Sequence, residues 1–207
     1  AMATILGGAP ALAQTVDAAM TAPPQTPSAP ALDYQHRTLA NGLQVYTLQD
    51  RSSPTVSVQV WYNVGAKDDP NGRSGFAHLF EHILSRMTRN IPRGYINTLV
   101  EDVGGSRNAS TGPDFTNYFE VVPSHFLETM LWTHAERMDR LVVDQSIFEA
   151  ERSIVQEELR QRVLAVPYGR LQRFVMIENS WVALPYHRPG IGSIEELNAA
   201  TVDDVLA

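Results

Sequence analysis

The 207-residue sequence contains no cysteine. Without thiols the protein can form no disulfide, has no thiolate nucleophile and offers no Cys ligand to a zinc ion. Any metal site in this chain must therefore be built from His, Asp or Glu side chains.

Basic residues and long apolar runs are also scarce. Lys and Arg number 16 against 23 Asp and Glu, which gives a net charge of −7. Nucleic acids and anionic membrane surfaces attract proteins through basic patches, so this balance argues against both as the main partner. No stretch reaches the roughly 18 consecutive apolar residues that a transmembrane helix needs. We therefore expect a globular protein that neither binds nucleic acid nor spans a membrane.

Residues 1–32 differ in composition from the rest of the chain. They contain five of the 13 prolines, ten alanines and a single charged residue, Asp17. An apolar stretch ends in Ala11-Leu12-Ala13, the small-x-small pattern of a signal-peptidase site, although no basic residues precede it. The Pro/Ala-rich stretch 21–30 is typical of a flexible linker. We interpret residues 1–32 as a partial signal peptide and linker, which predicts export; an ordinary disordered N-terminus is the alternative.

From Tyr34 onward, strand and helix patterns follow one another. Asn41-Gly42 lies between two short strand-like segments and predicts a hairpin. Ser124 and Asp144 are typical helix N-caps. The order of elements predicts an α+β domain, with helices layered on an antiparallel or mixed sheet. The predicted elements after the hairpin are a strand at 56–64, helices at 75–87 and 94–103, strands at 106–111 and 115–122, and helices at 124–141, 144–166 and 168–182.

The first predicted helix carries the motif H-x-x-E-H from His78 to His82, with Glu81 as its acid. Residues four apart differ by about 40° around a helix, so the two histidines project from one face, one turn apart. Two imidazoles at this spacing can bind one zinc ion. Glu81 lies close enough to act on a zinc-bound water without binding the metal. The alternative is a helix with two ordinary histidines and a solvated glutamate.

A catalytic zinc ion needs a third protein ligand, and the helix predicted after Asp144 is rich in glutamate. Glu151 and Glu158 lie within about 20° of each other on one face of that helix, whereas Glu157 points away. If this helix packs beside the histidine helix, Glu158 can bind zinc while Glu151 supports the site from the next turn. The alternative is that these glutamates, with nearby arginines, form a solvated face held by ion pairs. Judged from helix geometry alone, this alternative explains the residues at least as well as a metal site does.

Four segments in order resemble the pitrilysin–insulinase family of zinc metallopeptidases, which includes the mitochondrial processing peptidases and their bacterial relatives. The resemblance covers about residues 34–207, and four independent coincidences would be needed to produce it by accident. One departure is Arg86-Met87-Thr88, which stands where relatives often have Lys-Gly-Thr. The matching segments are G-x-A-H-L-x-E-H at 75–82, G-G-x-x-N-A-x-T with D-x-T-x-Y at 104–118, E-R-x-x-V-x-x-E at 151–158 and P-Y-x-x-P-x-x-G at 185–192.

The resemblance implies one zinc ion per chain and assigns roles around it. His78, His82 and Glu158 correspond to the zinc ligands, Glu81 to the general base and Glu151 to a supporting acid. The implied activity is hydrolysis of peptide bonds in peptides or unfolded protein segments. For an exported bacterial relative, the implied compartment is the periplasm.

The resemblance also implies a substrate-binding edge and a partner. Asn108 and Ala109 are expected on an edge strand that binds the substrate backbone by strand addition. Family members pair two α+β domains, whose halves close a chamber around the active site. Residues 33–207 are then the N-terminal, zinc-binding catalytic domain, truncated at its C-terminus, and a second domain or partner subunit closes the chamber.

A non-catalytic partner subunit of the same fold is the competing interpretation. Such subunits typically lose metal ligands or the base, whereas His78, Glu81, His82 and Glu158 are all present here.

Overall fold

The computed structural model describes residues 31–181 and 185–206. The signal peptide and most of the linker predicted within residues 1–32 lie outside these ranges and stay a prediction. Among the helices described, none combines the length and the apolar character needed to cross a bilayer. The chain divides into two compact units, one ending at Asp50 and one beginning at Arg51.

The first unit contains the predicted hairpin. Strands β1 (Tyr34–Thr38) and β2 (Gln44–Leu48) pair antiparallel. The amide of Gly42 donates to the carbonyl oxygen of Leu39 over 2.9 Å, and Gly42 adopts φ +87°. A left-handed backbone of this kind strains residues that carry a Cβ, which explains why the turn uses glycine.

The second unit is built on a three-stranded antiparallel sheet. Its strands are β3 (Thr55–Tyr62), β4 (Ser106–Thr111) and β5 (Thr116–Pro123), in the order β3-β5-β4. Within the part of the chain that the structure describes, β4 pairs only with β5 and so forms an edge of the sheet. The α+β class and the antiparallel sheet are confirmed.

The helices predicted at 75–87, 94–103 and 124–141 begin and end close to the observed positions, with one wrong cap. The helix predicted at 144–166 is α-helical only to Leu159 and continues as a π-helix over Arg160–Leu164. In the segment predicted as a helix at 168–182, a π-helix at Leu171–Val175 precedes a short α-helix, and residue 182 lies outside the described residues. The Asp144 carboxylate accepts a hydrogen bond from the amide of Ile147 over 2.8 Å, as predicted for an N-cap. Ser124 is not the N-cap of its helix, because its amide still bonds Pro54 beside the sheet and the chain makes a 3₁₀ turn before the helix begins. The α-helices are α1 (Phe76–Leu84), α2 (Tyr95–Asp102), α3 (Leu127–Asp139), α4 (Gln145–Leu159), α5 (Met176–Ser180), α6 (Ile194–Ala199) and α7 (Val202–Leu206).

Two hydrophobic clusters fix the helices of the second unit. The first joins α1, α4 and α6 and is formed by Leu79, Ile83, Phe148, Val155, Leu159, Leu197 and Ala200. The second packs α2 and α3 against the sheet through Val58, Ile91, Ile96, Val100, Val122 and Met130. Burying an apolar side chain of this size contributes about 1.5–3 kcal/mol. The first cluster therefore holds α1 and α4 side by side.

The N-terminus of α1 is held from two directions. The Asp69 carboxylate accepts hydrogen bonds from the amides of Gly75 and Ala77, over 2.7 and 2.8 Å. On the other side Gly75 lies directly against Gly192, where a Cβ added to Gly192 would come within 2.4 Å of the Ser74 carbonyl oxygen. This backbone contact allows the loop before α6 to reach the helix that carries the H-x-x-E-H motif.

Replacing Gly192 should destabilise the protein much more than replacing Gly72. Both residues adopt a positive φ, +83° and +76°, but a Cβ on Gly72 would meet nothing within 4 Å. Gly72→Ala should cost only the left-handed backbone conformation, about 1–2 kcal/mol. Gly192→Ala adds a steric overlap worth about 1–3 kcal/mol more. Urea unfolding of the two variants tests this, and equal midpoints would contradict the close contact.

Candidate metal centre

The two faces of α1 explain how the candidate ligands are presented. Leu79 and Ile83 are fully buried against the cluster shared with α4. His78 and His82, one helical turn apart, have ring centroids separated by 4.9 Å. They lie about 100° around the helix from the buried pair, on the side of the α4 carboxylates.

Three donor atoms converge where α1 faces α4. Nε2 of His82 lies 3.5 Å from Oε2 of Glu158, and Nε2 of His78 lies 3.7 Å from the same oxygen. One donor atom from each of the three residues falls within 4.8 Å of the other two. The structure thus brings together the three residues that the sequence analysis predicts as metal ligands.

The donor set fits a zinc ion. Two ligands about 2.0–2.1 Å from a tetrahedral zinc ion lie about 3.4 Å apart, close to the two measured distances. Burial lowers the pKa of His78 to about 4, an effect reinforced by His82 and opposed by Glu158. His78 is therefore a neutral imidazole near pH 7, the form that binds metals.

Glu81 lies beside the three donors but does not join them. Its Oε2 accepts a hydrogen bond from the Thr111 hydroxyl of β4 over 2.5 Å. Burial raises the pKa of the Glu81 carboxyl, against the opposing effects of Thr111 and His82. A carboxylate with a raised pKa, held next to a metal site, is suited to exchange protons with a water molecule.

Glu151 lies behind His82, about two turns before Glu158 on α4. Its Oε2 lies 3.7 Å from Nδ1 of His82, and its side chain is fully buried. Two arginines hold it there: Arg86 at 2.6 Å and Arg93 at 3.2 Å. Burial alone would raise the pKa of Glu151, but His82 and Arg86 outweigh it, and the pKa lies below its usual value. An ionised carboxylate on Nδ1 orients the ring so that Nε2 faces the metal position.

The candidate ligands face a pocket of about 790 Å³ that β4 lines along one side. Asn108 and Ala109 both line it, as expected for the edge strand. The Asn108 side chain accepts a hydrogen bond from the Ala109 amide, over 2.9 Å, and is exposed. An extended peptide could therefore reach this edge from the pocket.

Four residues that lie in or beside the site are absent from the sequence-based prediction: Thr111, Arg86, Arg93 and Arg107. Thr111 belongs to the matched segment 104–118, so its motif position was the available signal. Arg86 occupies the position at which relatives often have the lysine of Lys-Gly-Thr. Arg107 alternates with Ala109 and Thr111 on one face of β4, but its position at the pocket follows only from the packing of α1 and α2.

Known proteins with similar sequences cover much of this chain. Residues 44–171 match the sequence model of the family described as Insulinase (Peptidase family M16). The zinc protease PqqE of Helicobacter pylori is 33% identical over 202 residues, which cover 97% of this chain and 44% of that protein. Subunit 1 of the mitochondrial cytochrome b-c1 complex of Rattus norvegicus is 28% identical, over 59% of this chain and 25% of the subunit. This chain thus spans less than half the length of either relative.

A solved structure agrees with the sequence comparison. The crystal structure of a protease from Helicobacter pylori superposes with a TM-score of 0.80 at 33% identity, over 84% of this chain and 42% of that one. The resemblance to the pitrilysin–insulinase family is confirmed: the chain belongs to the insulinase family, peptidase family M16.

Proposed function

We propose that this chain is the zinc-binding catalytic domain of a metalloendopeptidase that hydrolyses peptide bonds in peptides or unfolded protein segments. The observation that carries the proposal is the convergence of His78, His82 and Glu158 within 4.8 Å, with Glu81 beside them. Membership of a peptidase family supports the same conclusion.

One zinc ion per chain is the cofactor that we propose for His78, His82 and Glu158. A bound zinc ion supplies Lewis acidity, which polarises a peptide carbonyl and lowers the pKa of a water molecule. Glu81 takes a proton from the attacking water and delivers it to the leaving amide nitrogen. The Thr111 hydroxyl orients the Glu81 carboxylate for both transfers, and Glu151 fixes the tautomer and orientation of His82.

The β4 edge is the proposed binding site for the substrate backbone. Asn108 and Ala109 lie on an edge strand that faces the pocket, so an extended peptide can add a strand to the sheet. Main-chain hydrogen bonds of this kind hold many sequences, which suits an enzyme that acts on unfolded segments.

A second domain or partner subunit is part of the proposal, because the pocket lies open on the surface of a chain that spans 44% of the PqqE protein. That second half would close the chamber. The composition of residues 1–32 supports export, and we propose the bacterial periplasm as the compartment.

A non-catalytic subunit is the second candidate function, since subunit 1 of the cytochrome b-c1 complex is among the relatives. The presence of all three candidate ligands and of Glu81 favours the peptidase.

Zinc should bind with a stoichiometry of one per chain and depend on Glu158. Glu158→Gln should weaken zinc affinity by more than about 100-fold. Loss of a residue that only supports a metal ligand costs up to about 100-fold, and loss of a ligand itself should cost more. The matched control is Glu157→Gln, because Glu157 pairs with Arg160 on the exposed face of α4. Elemental analysis and competition with a chelator measure the two variants. Equal zinc affinity in both would contradict the site.

Glu151→Gln should weaken zinc affinity by about 10–100-fold, the range expected when a residue that orients a histidine ligand, here His82, is lost. The neutral amide no longer pairs with Arg86 and no longer favours one orientation of His82. Glu149→Gln, at an exposed position of the same helix, serves as the control. Unchanged zinc affinity in a folded Glu151→Gln protein would remove Glu151 from the site.

Glu81→Gln should abolish cleavage and leave zinc bound. The amide keeps the size of the side chain but cannot accept a proton from water. Cleavage of an unfolded protein substrate by the full-length protein, followed by mass spectrometry beside elemental analysis, measures both properties. Normal cleavage by the variant would exclude Glu81 as the base. A wild-type protein that binds zinc and cleaves nothing would favour the non-catalytic subunit.

A further inference from the structure

The basic side chains beside the pocket outnumber the buried carboxylates that neutralise them. Glu151 is shared by Arg86 and Arg93. A second buried carboxylate, Glu120 of β5, is fully enclosed between the sheet and α3 and is likewise shared by two arginines.

Glu120 is already satisfied by residues of α3. Its Oε1 accepts a hydrogen bond from Arg137 over 3.0 Å, and its Oε2 bonds Nε2 of His134 over 2.7 Å. Burial lowers the pKa of His134, so the ring carries no charge near pH 7. Arg137 is therefore the cation that is hydrogen-bonded to Glu120.

Arg107 shares Glu120 with Arg137 but makes no hydrogen bond to it. Its Nε lies 3.8 Å from Glu120, beyond hydrogen-bond distance, and this buried N–H has no partner among the described residues. The guanidinium donates one hydrogen bond, to the side-chain oxygen of Asn97 on α2. A guanidinium has five donors, so Arg107 retains capacity for an anionic ligand.

The position of Arg107 relates it to the proposed substrate path. Arg107 lines the same pocket as His78 and Glu81. It lies four residues before Thr111, on the same face of β4, which corresponds to about 13 Å along the strand. Because Thr111 bonds Glu81, a peptide extended along β4 would pass Arg107 about four residues from its reacting bond.

Besides Glu81 and Glu158, the pocket is lined by a third acidic residue, Glu101 of α2. Among the described residues its carboxylate pairs with neither Arg86 nor Arg107, so it does not neutralise them. It provides a matched position at which a negative charge can be removed without altering Arg107.

We propose that Arg107 is a specificity-determining residue that binds a carboxylate of the substrate, an Asp or Glu side chain about four residues from the bond that is cleaved. This inference rests on the proposed peptidase function. A guanidinium binds a carboxylate through two parallel hydrogen bonds, and its burial beside the pocket strengthens the pairing.

The test measures peptide binding to the full-length, zinc-loaded Glu81→Gln protein by fluorescence anisotropy. The probes are fluorescein-labelled peptides of one sequence that carry a single Glu at successive positions, each paired with the Gln peptide at that position. We expect one position at which Glu binds about tenfold more tightly than Gln, the effect of one charge-assisted hydrogen-bonded pair. The ratio should fall to about one when Arg107→Gln is added.

Controls separate recognition from folding. Arg107→Lys keeps the charge but loses the paired geometry, so it should retain only part of the preference. Glu101→Gln should leave the preferred position unchanged. Thermal unfolding checks that each variant is folded, and if Arg107→Gln does not fold, the Arg107→Lys ratio decides. A Glu-to-Gln ratio that is unchanged in a folded Arg107 variant overturns the proposal.

Parallel assays of the wild-type protein on the same peptides distinguish the two proposals. Cleavage with no preference for Glu over Gln at any position refutes the role of Arg107 and leaves the peptidase function standing. Tight, Arg107-dependent binding of the Glu peptide without cleavage refutes the peptidase function and leaves the carboxylate site standing.

Discussion

The packing of α1 against α4 is the interaction on which the candidate metal centre depends. Leu79 and Ile83 pack with Phe148 and Val155 in one buried cluster. Because each histidine precedes one of these apolar residues by one position, about 100° around α1, burial of the apolar pair fixes the direction in which the imidazoles project beside α4. Fully buried aliphatic and aromatic side chains thus set the spacing of the candidate ligands, and a change in this packing would move those ligands relative to one another.

The polar groups around this core show how charge is kept inside the protein. Isolated buried carboxylates are costly, and each one here has cationic or hydrogen-bonding partners. Glu151 combines two arginines with His82, and Glu120 combines Arg137 with His134. The network around Glu151 reaches the candidate ligand His82, and the network around Glu120 ends at Arg107 beside the pocket. The need to pair buried carboxylates therefore places Glu151 beside His82. It also leaves the Arg107 guanidinium near Glu120 with unused hydrogen-bond donors.

Helical periodicity was enough to predict which side chains share a face. It placed His78 with His82 and Glu151 with Glu158, and it excluded Glu157. It could not predict that the two helices lie side by side, because that contact depends on residues far apart in the sequence; the family resemblance supplied it. Ser124 failed as a cap because the strand continues up to it, a tertiary constraint that overrides local preference. The arginine partners of Glu151 could not be predicted either, since loop arginines carry no periodic signal.

The contact between Gly75 and Gly192 has a consequence for synthesis of the protein on the ribosome. His78, His82 and Glu158 all leave the ribosome before Gly192 does. A nascent chain that already displays the three donors still lacks the backbone surface against which the N-terminus of α1 rests. In the order of translation, the contact that holds the N-terminus of α1 can therefore form only after the three candidate ligands have emerged and the segment around Gly192 has followed them.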